Sequence, residues 1–221
     1  MNLRASYTAL APIYDLTIRA LTRSARARSC AWLSPMRPMR VLVAGIGTGL
    51  DLPYLPPQHE YTGLDLTWAM LARSRPRGAS RRYHAVQGDV MALPFAAHSF
   101  DAAVLHLILA VVPDPARCLA ECLRVLRPGG TVLIFDKFLR PGQRARLRRF
   151  ANPLSRRVAT RLDVVFEEVT AGLADAEVIH DEPALAGGWF RLIRVRRGTT
   201  PAGAGALRAG GGQASTWSRP S

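Results

Sequence analysis

The stretch that most constrains this chain is a short apolar run ending in three closely spaced glycines. Residues 39–44, Met-Arg-Val-Leu-Val-Ala, are mostly apolar and carry no polar alternation, the pattern of a strand covered on both faces. The run breaks at Gly45-Ile46-Gly47-Thr48-Gly49. Glycines there let the backbone turn sharply and let a ligand approach the main chain closely. Asp51 then reads as a helix N-cap with Pro53 in the first turn, so free N–H groups of that helix are expected beyond the glycines.

The same alternation continues downstream. A second strand is expected over residues 60–64 with Asp65 at its end. Thr67 is placed to cap a helix over 68–75, which Pro76 stops. A third strand, 83–87, leads into Gly88-Asp89, and a fourth covers 102–105. Asp114 and Pro115 open a helix to about residue 126, and Pro128-Gly129-Gly130 turns into a fifth strand at 131–135. Strands alternating with helical stretches predict a parallel α/β sheet with right-handed crossovers. Past Lys137 the pattern changes: 138–162 is arginine-rich and 163–173 looks helical. Two closing strands, 176–179 and 189–195, are separated by Pro183 and Gly187-Gly188. Residues 1–35 hold one or two short helices broken by Pro12, and 36–198 make the main domain. Residues 199–221, rich in Gly, Ala, Pro and Ser without periodicity, are expected to be disordered.

Composition removes some function classes and leaves others open. The formal net charge is +14, nearly all of it arginine, Lys137 being the one lysine. Attraction to phosphate is one reading. A coding bias toward Arg, Ala, Gly and Pro is the other. The three cysteines have no metal-type spacing, and no metal is expected; Cys118 and Cys122, four apart beside Leu119, Leu123 and Leu126, should face a core. Pro12 and Asp15 interrupt any signal-peptide pattern. The longest apolar run, 102–112, falls short of the roughly 20 residues a membrane span needs. A cytoplasmic protein is expected, with membrane-surface contact left open.

Three sites converge. The glycines at 45, 47 and 49 depart from the dinucleotide spacing G-x-G-x-x-G, because Leu50 follows Gly49. This tighter form suits a smaller zwitterionic group; a plain turn is the alternative. Asp65, 20 residues beyond Gly45, is placed to accept hydrogen bonds from two ribose hydroxyls, or else to cap the following helix. Asp89 can accept from an adenine amine while Val90 and Met91 pack on the ring; a turn aspartate is the competing role. The carboxyl ends of three successive strands border one crevice.

These segments resemble the motifs of class I S-adenosylmethionine (SAM)-dependent methyltransferases. The likeness is carried by 41–49, by Gly63-Leu64-Asp65-Leu66-Thr67-Trp68-Ala69-Met70-Leu71, by 88–95 with Ser99-Phe100-Asp101, and by 123–130. It implies a Rossmann-like, mostly parallel seven-stranded sheet with the last strand antiparallel and helices on both faces. It implies SAM as cofactor, held by Gly45, Gly47, Gly49, Asp65, Leu66, Asp89 and Val90. Ala44 departs from the family, many members of which carry an acidic residue there. The segment 7–15, from Tyr7 to Asp15, is similar to the N-terminal part of bacterial phosphatidylethanolamine N-methyltransferases and quinone C-methyltransferases. In those it lies over the cofactor, so Tyr14 and Tyr7 would help close the site; anchoring an N-terminal helix is the alternative. The arginine-rich 138–162 sits where these relatives vary to fit the acceptor.

The expected activity is therefore methyl transfer to a small-molecule or lipid acceptor. Phosphatidylethanolamine leads quinones and other small molecules on the flanking resemblance and the charge. An NAD-type oxidoreductase and a non-enzymatic SAM- or nucleic-acid-binding protein are the alternatives. Nucleic acid is not the expected partner, because the basic run lacks interleaved aromatic residues. His106, at the end of the fourth strand, is the candidate general base, with Asp136 a weaker second; a structural histidine is the competing reading.

Overall fold

The computed structural model describes residues 20–139 and 163–199. A helix, α1, passes through residues 20–31. It is followed by β1 (Arg40–Ala44), β2 (Glu60–Asp65), α2 (Trp68–Gly78), β3 (Arg82–Gln87) and β4 (Phe100–His106). Then come α3 (Pro115–Val125), β5 (Leu126–Lys137), α4 (Phe166–Thr170), β6 (Ala176–Leu185) and β7 (Phe190–Arg197). The strands form one sheet in the order β3-β2-β1-β4-β5-β7-β6. β1 to β5 are parallel, and β7, last in the chain, runs antiparallel to both β5 and β6. This is the expected seven-stranded topology.

Side chains alternate across a strand, so β1 and β4 feed two cores at once. Leu42, Ala44, Ala103 and Leu105 face a core closed by Cys118, Leu119, Cys122 and Leu123 of α3. Val41, Val43, Ala102 and Val104 face the opposite one, closed by Cys30 of α1, Leu33 just beyond it, and Leu71 of α2. Helices thus cover both faces. All three cysteines are buried and unpaired, behaving as small apolar residues.

Several local expectations are corrected. Pro76 does not stop α2, which runs on to Gly78. Packing holds the last turn: a Cβ at Gly78 would fall 2.3 Å from the Tyr83 ring, whose hydroxyl lies 2.6 Å from Ser74 Oγ. Thr67 makes no side-chain cap; its hydroxyl turns back to Asp65 Oδ1. Asp114 does cap α3, accepting from Arg117 N at 2.9 Å. Pro128-Gly129-Gly130 lies inside β5 as a bulge: β4 advances from Phe100 to Ala102 while β5 advances from Leu126 to Thr131. Gly129 takes the left-handed conformation this needs, φ +77°. Pro183 lies within β6 and does not end it, because β6 is an edge strand where a missing N–H can face solvent. The helix expected over 163–173 contracts to the five residues of α4. The expectations for Tyr7, Tyr14, residues 140–162 and residues 200–221 lie outside the described residues. Among the described residues, no helix is long and apolar enough to cross a membrane.

Candidate functional site

Because β1 connects to β2 on one side and the chain then crosses to β4 on the other, the loops leaving β1 and β4 diverge. A crevice at such a switch point is the usual ligand position in open parallel sheets. The β1 loop is held firmly on the β2 side. Gly45 N and Ile46 N both donate to Leu64 O, at 2.8 and 3.0 Å, and Gly47 N donates to Asp65 Oδ2 at 2.9 Å. All three glycines have positive φ, +69°, +55° and +82°.

Their surroundings separate them. A Cβ at Gly45 would strike Ile108 Cδ1 at 2.6 Å, and one at Gly49 would strike Leu52 and Ser74 at 2.8 and 2.9 Å. A Cβ at Gly47 would meet nothing within 4 Å among the described residues. Two glycines are packed by the protein, and the middle one faces space that no described residue fills.

Asp65 ends β2 beside that space. Burial raises its carboxyl above the ordinary value, against the opposing hydrogen bonds from Thr67 N and Gly47 N. Leu66 next to it is exposed. Asp89, after β3, accepts from Met91 N through Oδ1 at 2.8 Å in a local turn, and Oδ2 has no partner among the described residues. Val90 is buried in the α3-side core, with Met91 partly buried against it. Gly88 N donates to Asp65 O at 3.0 Å, so the β2 and β3 ends are fastened together.

On the β4 side, Leu107 is held in a left-handed conformation, φ +58°, unusual for a branched residue. Its N–H donates to Phe135 O at 2.7 Å. Asp136, buried at the end of β5, accepts from Ala110 N at 3.1 Å and Lys137 N at 2.8 Å, which fixes the loop after β4. Burial raises the Asp136 carboxyl and lowers the Lys137 ammonium from their ordinary values.

His106 is enclosed. Its Nδ1 lies 2.6 Å from Asp51 Oδ1 and its Nε2 lies 2.9 Å from Ser29 Oγ, so both ring nitrogens are engaged. Arg26 Nη1 meets the same Asp51 oxygen at 2.6 Å. Burial works against the Asp51 anion, but Arg26 and His106 together hold its carboxyl well below the usual carboxylate range. Asp51, read from sequence as a helix cap, makes no such bond. Cys30 also stands here, its ligand atom within 4.8 Å of those of Asp51 and His106, although no spacing in the sequence suggested a metal cluster. The cation already paired with that carboxylate is the Arg26 guanidinium. Sequence reasoning missed Arg26, Ser29 and Asp51 as partners of His106, because nothing in local spacing joins positions so far apart. A depression of about 500 Å³ among Arg75, Arg81, Tyr83 and His84 lies at the start of β3, the opposite edge of the sheet.

Residues 42–134 match the methyltransferase domain family. The chain is 34% identical over 190 residues to a phosphatidylethanolamine N-methyltransferase of Cereibacter sphaeroides, covering 84% of this chain and 93% of that one. It is 36% identical over 138 residues to the ubiquinone/menaquinone biosynthesis C-methyltransferase UbiE of Dinoroseobacter shibae, covering 58% of this chain and 55% of the relative. A SAM-dependent methyltransferase from Thermotoga maritima shares the fold, with a TM-score of 0.66 at 19% identity over 87% of this chain and 99% of that one.

Proposed function

The chain belongs to the class I SAM-dependent methyltransferases, and on that premise we propose that it methylates the headgroup nitrogen of phosphatidylethanolamine. The observation that carries the acceptor is extent: similarity to the lipid enzyme runs through 84% of the chain, while the quinone enzyme matches 58%. The rim of the sheet edge supports a lipid. Trp68 stands 51% exposed there, with Arg75 stacked 4.5 Å from the indole. Aromatic side chains with arginines suit a bilayer interface, and the net charge of +14 suits anionic lipid around the substrate. Peripheral membrane contact is part of the proposal.

The residues present fit SAM. Gly47 leaves the space a ligand needs against the main chain, and Asp65 offers a desolvated carboxylate beside it. In the proposal, the 45–49 loop takes the amino-acid end, Asp65 accepts from the ribose hydroxyls, Leu66 borders the nucleoside, and Asp89 Oδ2 with Val90 and Met91 holds the adenine. By the family resemblance, Tyr14, in the 1–35 segment ahead of the 36–198 domain and outside the described residues, is proposed to close the site. When bound, SAM supplies an activated methyl group. The chain's own contribution is alignment and exclusion of water, and alignment is worth roughly 7–11 kcal/mol in well-oriented reactions. The Asp136 and Phe135 contacts keep the loop after β4 in a single shape for that purpose. His106 can serve as a base only by releasing Ser29, so the proposal has the amine arrive neutral, its proton going to solvent.

The test is incubation with methyl-labelled SAM and vesicles of phosphatidylethanolamine in an anionic carrier lipid, with a demethylated quinone in parallel. Labelled N-methylated phospholipid supports the proposal. Label in the quinone alone transfers the assignment to the second reading, which the 36% identity to the quinone enzyme favours.

A further inference from the structure

Five polar residues that the methyl-transfer chemistry does not need are buried together behind the glycine loop. Thr22, Arg26, Ser29, Asp51 and His106 are each no more than 6% exposed. Their bonds form one chain: Thr22 Oγ1 accepts from Arg26 Nε at 3.0 Å, Arg26 donates to Asp51, and Asp51 meets His106, which meets Ser29. Three come from α1, one from the segment after the glycines, one from the end of β4. Ion pairs buried this deeply gain little stability over apolar packing of the same shape, yet become strongly unfavourable when one partner is withdrawn. Such a network therefore fixes position more than it adds stability.

The position it fixes is that of the cofactor loop. Asp51 follows Gly49 by two residues. The loop's near side is pinned to β2 through Gly45, Ile46 and Gly47. Its far side is pinned by Asp51, whose single oxygen Oδ1 takes Arg26 from α1 and His106 from β4 at 2.6 Å each. We propose that Asp51 is a positioning residue that makes docking of α1 and the ligand-ready shape of the glycine loop one event. If α1 withdraws, Asp51 loses its buried countercharge and must swing toward water, carrying the 49–52 turn with it. Linkage is reciprocal, so a ligand that needs the loop in place also holds α1 down. The inference rests on the reading that the 45–49 loop holds the cofactor.

The experiment measures hydrogen exchange across residues 20–31 and 45–52, and affinity by calorimetry, both with S-adenosylhomocysteine as the probe. The wild type should bind it and show slowed exchange in both segments. Arg26→Met acts from α1, away from the loop. It should weaken binding about tenfold or more and abolish the response of 20–31 to the probe. Because Arg26→Met strands a buried carboxylate, Arg26→Met with Asp51→Asn removes both charges. That double variant should regain a cooperative melt while still binding weakly, with an unresponsive α1. A folded double variant with wild-type affinity and a wild-type α1 response overturns the proposal, since a purely structural role would lower only the melting temperature. Failure of the wild type to bind the probe overturns it together with the site assignment. Wild-type binding with no change in α1 exchange overturns it alone.

Discussion

Two single-methyl substitutions in the glycine loop should separate an effect on stability from an effect on ligand binding. At both Gly47 and Gly49 an alanine must adopt positive φ, +55° and +82°. That costs roughly 1–2 kcal/mol, and the lost freedom of the unfolded chain returns about 0.4–1 kcal/mol. For Gly47→Ala nothing else is added, because its Cβ meets no atom of the described residues within 4 Å. The apo protein should lose about 1 kcal/mol, or roughly 2–4 °C in melting temperature for a domain of this size. For Gly49→Ala the Cβ would lie 2.8 Å from Leu52 Cδ1, 2.9 Å from Ser74 Cβ and 3.0 Å from the Ser74 backbone. Overpacking of that kind costs about 1–3 kcal/mol more, so the apo protein should melt roughly 4–16 °C lower. Ligand binding should discriminate in the other direction. The Gly47→Ala methyl enters the space assigned to the cofactor, and the same overpacking of about 1–3 kcal/mol becomes a roughly five- to hundredfold loss of S-adenosylhomocysteine affinity. Melting curves and calorimetric titrations of both variants check this. Wild-type affinity in Gly47→Ala would refute the reasoning, because the open space would then belong to solvent and not to the ligand.

Asp65→Ala should reduce S-adenosylhomocysteine affinity by at least about a hundredfold, since two hydrogen bonds to a charged acceptor contribute about 1.5–3 kcal/mol each; unchanged titrations would remove Asp65 from the site. Burial raises the Asp65 carboxyl, while ribose hydroxyls favour its anion, so affinity should fall as pH drops through that raised value and calorimetry should detect proton release on binding in the same range. Asp51 has the opposite sign: its lowered carboxyl supplies stability that is complete above the ordinary carboxylate range of about 4 and is lost as pH falls below it. Melting temperatures between pH 2 and 7 should fall more steeply on acidification in the wild type than in Asp51→Asn. Cys30, Cys118 and Cys122 are fully buried, so a thiol reagent should label them only at the rate of unfolding.

The legible parts of this fold were those written in contiguous residues. Val41 to Ala44 had to be a strand covered on both faces, and the Asp114-Pro115 pair had to begin a helix. The errors arose where a distant partner outbid a local preference. Thr67 and Asp51 both have cap chemistry, yet Thr67 turns to Asp65 and Asp51 turns to α1 and β4. Pro76 reads as a stop, but Tyr83 packs the turn beyond it into place. Pro128-Gly129-Gly130 reads as a turn between elements, but pairing of Leu126 with Phe100 draws it into β5 as a bulge.

The same competition sorts the candidate site residues. A polar group at the carboxyl edge of a parallel sheet is available to a ligand only to the extent that the protein leaves it exposed and able to take a further bond. His106 was singled out for its place at the end of β4, and there it is saturated, one nitrogen on Asp51 and the other on Ser29. Asp136 at the end of β5 is buried and holds Ala110 N and Lys137 N. Asp89 keeps Oδ2 unsatisfied among the described residues, and Asp65, although it accepts from Gly47 N and Thr67, is only partly buried and open to further donors. Sequence position identifies the edge and residue type identifies the chemistry. Burial then divides β2 and β3, whose partly exposed carboxylates can still meet a ligand, from β4 and β5, whose buried His106 and Asp136 are committed to holding the loops in shape.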